Sequence, residues 1–353
     1  MKVGTGFGET WLAAIPERVR AAEAAGFDVI STGELKHNSV LSLTLAAEHT
    51  ERVELSSITI AFPRSPMVMA QTAWDLQEFS KGRINLGLGS QVKGHNIRRF
   101  GGTWSPPARR MEEYISMMRA IWRTWQNGDR PDFVGEDYRF LLMTPAFNPG
   151  PINYPFPKVA LAAVGPRMAE VAGAVADGLR PHGFSTEKYI REVVLPAAEK
   201  GAKRAGRSFA DLEVSVGGFS AYGETQGEVE QAINALRRPI SFYGSTRSYH
   251  GVFRAHGLES LGMQLHELSL QGRWDKMRDA VTFEHAAEMA NACTYDELPQ
   301  YARVHFDYAD RISFPMSRHA SADTYGGSSE GDASAPAPSP ERLDWLIKEL
   351  HDV

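Results

Sequence analysis

Apolar positions along this chain alternate between short unbroken runs and helical spacing. Residues 53–62 (VELSSITIAF) are β-branched and apolar enough for a strand buried on both faces. Met67, Val68, Ala70, Trp74 and Leu76 then recur with helical spacing, and Lys81-Gly82-Arg83 stops that helix. Residues 84–88 form a second buried strand, ending in an abrupt turn at Gly89-Ser90-Gln91. Two buried strands joined by a helix predict a right-handed crossover in a parallel sheet.

The same alternation runs through most of the sequence. Residues 2–7 and 27–31 read as the first two strands. Between them lies an amphipathic helix with Ile15, Val19, Ala22 and Ala25 on one face. Residues 40–51 form the next helix, and 107–126 a long one striped by Met111, Tyr114, Ile115, Met118 and Trp122. Residues 128–157, rich in proline and aromatics, read as a hairpin plus an irregular loop. Strands at 158–164, 178–182, 212–221 and 311–314 complete a set of eight. Residues 225–294 are too long for one crossover and read as a helix plus a helical insertion.

The predicted fold is α/β: a (β/α)8 TIM barrel over residues 1–318, with the insertion before the last strand. A doubly wound sheet is the competitor. Both folds gather ligands at the carboxyl ends of their strands. Small residues predominate from Ser321 to Pro340 and cannot bury enough apolar surface to offset ordering entropy. Residues 319–340 are therefore expected to be a flexible linker. Residues 341–353 then form a short C-terminal helix with Leu343, Leu346, Ile347 and Leu350 on one face. That helix is either a frayed terminus or an arm docking on a neighbouring subunit.

Composition narrows the function classes. A net charge of −5 and a pI of about 6.1 give no electrostatic reason to expect nucleic acid or an anionic membrane as partner. The single cysteine, Cys293, excludes an intramolecular disulfide framework and any multi-cysteine metal site. No apolar run approaches the roughly 20 residues that span a bilayer, and the N-terminus lacks the apolar core of a signal peptide. A cytoplasmic enzyme with a small-molecule substrate is the expectation.

Several motifs carry nothing. Gly327-Ser328-Ser329-Glu330-Gly331 matches a nucleophile elbow by letter, without the strand and helix that strain its serine. Gly87-Leu88-Gly89 begins a dinucleotide fingerprint whose third glycine falls on Val92. His266-Glu267 lacks a second histidine, and no metal site is expected.

Three places retain chemistry. After strand two, Glu34, Lys36 and His37 put an acid, a base and an imidazole at a strand end, a place for proton transfer or a plain solvated loop. Around residues 87–93, glycines permit close backbone approach while Ser90, Gln91 and Lys93 supply polar groups, as an ordinary turn also does. At Val164-Gly165-Pro166-Arg167, free N–H groups at a helix start beside an arginine suit a phosphate, or simply initiate the helix. His182 and Gly183, at the next strand end, are placed to line the same cavity.

These residues bring a family into view. The chain resembles the bacterial-luciferase-like flavin and deazaflavin oxidoreductases over about residues 1–316. The resemblance rests on AAEAAGFDVIST, LTLAAEHTERVELSS, SPMVMAQTAWDLQEFSKGRINLGLGS and LAAVGPRMAEVAGAVADGL. GSQVKGHNIRRFGG, ISFYGSTRSY and LSLQGRWDKM are similar to the actinobacterial subgroup that uses coenzyme F420. The resemblance implies a cofactor ring in the barrel mouth, with its phosphate at Gly165-Pro166-Arg167. It also implies a bulge with a non-prolyl cis peptide behind the ring near Ser57-Ile58, and Ser90 and Gln91 facing the ring or substrate.

One departure matters. Sugar-phosphate dehydrogenases and methylene-tetrahydromethanopterin reductases of this family carry an Asp-His pair after strand two. Here Glu34-Leu35 stands in that place and the nearest histidine is His37. The sugar-phosphate enzymes' strand-four glutamate is also absent, with Gln91-Val92-Lys93 in its region, so neither substrate carries over. The resemblance implies F420-dependent hydride transfer to or from a C=C, C=O or alcohol group. His37, or Glu34 with Lys36, would exchange the proton. An FMN-dependent monooxygenase and a cofactor-binding barrel without turnover are the alternatives. Family members are commonly dimers, and Trp74 is the first interface candidate.

Overall fold

The computed structural model describes residues 1–7, 10–314, 316 and 337–353. In chain order the strands are β1 (Lys2–Gly6), β2 (Val29–Thr32), β3 (Glu54–Ser57), β4 (Thr59–Ile60) and β5 (Ile84–Gly89). The hairpin β6 (Phe133–Val134) and β7 (Arg139–Phe140) follows, then β8 (Lys158–Ala163), β9 (Gly178–Pro181) and β10 (Glu213–Val214). Last come β11 (Phe219–Gly223), β12 (Ala290–Thr294) and β13 (Arg311–Ser313). The main sheet runs β10-β9-β8-β5-β3-β2-β1-β13, with every pair parallel and β4 extending β3 along β5. A parallel bridge between Ser215 and Arg311 joins its two ends. The expected (β/α)8 barrel is what forms, not the doubly wound sheet.

Two expectations about strands are corrected. The seventh strand does not run through 212–221. Gly218 sits at φ 97°, a left-handed conformation open to glycine, and turns the chain out of the barrel. Beyond it β11 pairs in parallel with β12, Phe219 opposite Ala290 and Gly223 opposite Thr294. The insertion thus contributes a strand that its surrounding helical patterns hid. It otherwise consists of the helix Gln226–Gly244 and a series of shorter helices.

The second correction concerns residues 53–62. The strand is interrupted at Ile58, yet Ser56 faces Asn85 and Thr59 faces Leu88, so the register is the same on both sides. No residue is inserted, and no cis peptide occurs among the described residues. The expected bulge with its cis bond at Ser57-Ile58 is instead a kink in register, with the Ser57 carbonyl leaning over Gly87. A Cβ on Gly87 would lie 1.7 Å from that oxygen.

Strand register places alternate residues inside the barrel. Its floor is ionic. Lys2 pairs with Glu213 at 2.7 Å and Glu54 at 3.2 Å, and Arg311 with Glu54 at 3.3 Å. Arg180, one turn of pleat higher, donates to Ser215 Oγ at 2.8 Å. Burial, with Arg311 beside it, pulls the Arg180 guanidinium down to about 9, so it stays charged at neutral pH. Above the floor the interior positions hold Gly4, Gly6, Ser31, Ser56, Gly87, Gly89, Ala160 and Ala162. Barrels usually fill these layers with bulky aliphatics. Small residues here replace them.

The C-terminal helix, Pro340–His351, resolves a choice the sequence left open. It docks on its own barrel, burying Leu343, Leu346, Ile347 and Leu350. The Met1 ammonium donates to Leu350 O at 3.1 Å, and His351 meets Asp28 at 2.7 Å. Of the stretch read as a flexible linker, residues 319–336 lie outside the described residues. Trp74 is likewise corrected: it is buried against Trp122, Trp125 and Phe156, inside the protomer and not on an interface. Among the described residues no helix is long and apolar enough to cross a membrane.

Candidate active site

The carboxyl ends of the barrel strands bring most of the expected residues to one mouth. Glu34 leaves β2 and reaches across to the kink. Its Oε2 accepts the Ile60 N–H at 2.6 Å and Arg64 at 2.9 Å, while Oε1 meets the other Arg64 nitrogen at 2.5 Å. Arg64 also donates to Ile60 O at 2.8 Å. Glu34 therefore has both oxygens occupied and holds β4 in place. This occupation fits a positioning role better than proton exchange.

The kink is held from two further sides. Ser39 Oγ lies 2.8 Å from Thr59 Oγ1, which lies 2.9 Å from Ser57 Oγ, and all three hydroxyls are buried. Asn38 caps the helix Ser39–Glu48 by accepting the Val40 N–H at 3.0 Å, and this fixes the end of the β2 loop. Lys36 is exposed; His37 is half-buried, its ring edge-on to Trp11 at 4.8 Å. Of the three predicted acid–base residues, His37 and Lys36 stay at the rim and Glu34 points into the wall.

After β5 the chain turns at Gln91, which takes a left-handed φ of 54°. Its side chain accepts the Val92 N–H at 2.9 Å. Asn96, buried on the helix Lys93–Arg98, donates to Ser90 O at 2.9 Å and Val92 O at 3.1 Å. Arg99 closes the ring of loops by donating to Leu35 O. Asn96 and Arg64 were invisible in sequence because each is a polar residue on a helix or turn, recognisable only by its partners across the mouth.

The helix Pro166–Val175 begins with Gly165 as its cap, and no side chain caps it. A Cβ on Gly165 would meet nothing within 4 Å. Arg167, exposed in the first turn, makes no ion pair among the described residues. An open helix N-terminus with an adjacent cation can hold a phosphate. This helix start lies at the carboxyl end of β8, the strand next to β5, whose Gly87 seats the Ser57 carbonyl.

His182 follows β9 into the mouth. Its Nδ1 accepts the Phe184 N–H at 3.0 Å, and the rings of Tyr243 and Tyr249 stand edge-on at 4.6 and 5.1 Å. Burial alone lowers it to about 4. Both tyrosines belong to the insertion, inside ISFYGSTRSY, whose aromatics gave no hint that they pack on a strand end 60 residues away.

The shift has a sign. Folding lowers His182 below its ordinary 6.5, so the unfolded chain takes up that proton first. Its contribution to stability is intact above pH 6.5 and declines towards pH 4, by on the order of 3 kcal/mol. A His182→Phe chain is expected to lose less stability than the native chain between about pH 7 and pH 4.5, read from urea midpoints.

Comparison with known proteins agrees with this architecture. Residues 3–298 match a family model described as luciferase-like monooxygenase. An uncharacterized protein of Mycobacterium tuberculosis is 45% identical over 271 residues, covering 74% of this chain and 80% of that one. The F420-dependent glucose-6-phosphate dehydrogenase of Rhodococcus hoagii is 30% identical over 213 residues, 54% of this chain and 59% of that enzyme. Among solved structures, the coenzyme F420-dependent tetrahydromethanopterin reductase of Methanopyrus kandleri superposes with a TM-score of 0.73 at 18% identity, covering 99% of this chain and 98% of that one.

Proposed function

The chain belongs to the luciferase-like monooxygenase family, and from that premise we propose that it is a coenzyme F420-dependent oxidoreductase. Its substrate would be a small organic molecule with a C=O, C=C or alcohol group. The observation that carries this reading is the mouth itself: the Ser57 kink seated on Gly87 and the helix start at Gly165 without a side-chain cap, beside Arg167, stand at the carboxyl ends of the neighbouring strands β3, β5 and β8. F420-dependent relatives point to the deazaflavin as the group that fills it.

When bound, the deazaflavin supplies a hydride, the part of the chemistry no side chain can provide. Ser57, Ile58, Ser90 and Gln91 would line the side of the mouth that takes the ring. Val164, Gly165, Pro166 and Arg167 would hold the phosphate, and His182 with Gly183 would complete the lining. His37 exchanges the substrate proton with solvent, with Lys36 beside it. Glu34 keeps the wall rigid through Arg64. The protein acts as a homodimer on a small molecule, without nucleic acid or membrane.

The family description itself favours one second reading, an FMN-dependent monooxygenase. The two separate on turnover. With reduced F420 and a panel of simple ketones and enones, the protein should oxidise the cofactor under anaerobic conditions. Turnover that requires oxygen and reduced FMN, with none on F420, would favour the monooxygenase and remove the present reading.

A further inference from the structure

We propose that His182 is a fixed hydrogen-bond donor to a carbonyl or alcohol oxygen, presented by Nε2 at the carboxyl end of β9. The inference rests on the oxidoreductase reading for its ligand class, but its geometry is independent of that reading. Phe184 N–H points at His182 Nδ1 from 3.0 Å, so Nδ1 uses its lone pair as an acceptor and carries no proton. The single proton of the neutral ring must then sit on Nε2.

The backbone makes this arrangement rigid. His182 N donates to Ala163 O at 3.1 Å, which continues the β8–β9 ladder. Ser185 N donates to His182 O at 2.8 Å, which closes the turn that brings Phe184 N–H onto the ring. Tyr243 and Tyr249 pack edge-on, 73° and 70° to the imidazole plane, and limit its rotation. Among the described residues no carboxylate hydrogen-bonds to or pairs with His182. The nearest charge on its own strand is Arg180, a cation, which also disfavours an imidazolium. A ring so placed donates a hydrogen bond and keeps its proton.

The ligand chemistry follows. An Nε2–H donor between aromatic rings suits an uncharged ketone or secondary alcohol better than a phosphate or carboxylate, which would call for a cation. When hydride from the reduced cofactor adds to a carbonyl carbon, the C–O π pair moves to oxygen. The Nε2–H bond strengthens as that charge grows, and the proton completing the alcohol comes from solvent by way of the rim. His182 thus stabilises the oxygen without being consumed.

Nitrogen-15 NMR of the full chain tests the donor directly. The His182 ring should be the Nε2–H tautomer at neutral pH, and added cyclohexanone with F420 should shift that resonance. A proton on Nδ1, or no shift with ketone, would overturn the proposal. Kinetics supply the second arm. His182→Phe should lower kcat/KM for ketone by about 100-fold, and His182→Gln should recover part of the loss. Unchanged kcat/KM in His182→Phe would also overturn it. Absence of F420 turnover in the native chain, with the Nε2–H tautomer retained, would instead refute the reaction class and leave the donor assignment standing.

Discussion

A Gly87→Ala chain is expected to be about 4 kcal/mol less stable than the native protein, near the upper end for a single substitution. The reason is steric and local. The added Cβ would stand 1.7 Å from Ser57 O, 2.8 Å from Ser57 C and 3.0 Å from Ile58 Cδ1. Two of these are backbone atoms of a central strand, flanked by β2 and β5, so they cannot swing away as a side-chain tip would. Relief requires β3 and β5 to separate at the kink, which breaks the pairing of Thr59 with Leu88 just beyond it. Urea denaturation measures the loss. Gly89→Ala is the internal control, because its Cβ would touch only Ile58 Cγ2 at 3.5 Å, an ordinary contact. Similar stability of the two variants would mean that the close approach of Ser57 to Gly87 does not exist in solution.

Arg64→Met should cost about 3 kcal/mol, by leaving Glu34 buried against the Ile60 N–H without its guanidinium. The Glu34 side chain is 9% exposed, so solvent compensates little. Adding Glu34→Gln to that variant should recover part of the loss, since an amide oxygen still accepts from Ile60 N–H and no charge is stranded. A double-mutant cycle in denaturant gives the coupling. Additive effects would show that the pair does not hold the wall. Cofactor affinity should fall in step with stability in Arg64→Met, because the same two residues hold β4 at the proposed cofactor mouth.

Much of this fold was legible because the barrel strands are short apolar runs separated by helices of clear period. The unit from 53 to 91 gave the parallel crossover, and Gly165-Pro166 gave the helix start. What escaped follows from contacts between distant residues. The kink at Ile58 leaves no mark in composition, since Ser57, Ile58 and Thr59 read as ordinary strand. β11 and β12 pair only with each other, 71 residues apart at Phe219 and Ala290, and Ala290–Thr294 is too short to interrupt a helical pattern. Trp74 counts as an interface candidate in sequence because helices beside strands two and three often form one in the family; here the loop after the hairpin supplies Phe156 and Gly150 O to cover it. Glu34 looked like an acid free at a strand end, and only Arg64, thirty residues on, gives it another occupation.

The mouth at Ser57, Gly87 and Arg167 is proposed to hold a deazaflavin. Equilibrium titration of the purified full-length protein with F420 and, separately, with FMN, followed by cofactor fluorescence, tests it most directly. F420 should bind at least about tenfold more tightly than FMN, a difference of roughly 1.4 kcal/mol. Arg167→Ala should weaken F420 while leaving the fold intact. Tight FMN binding with no detectable F420 binding would contradict the account.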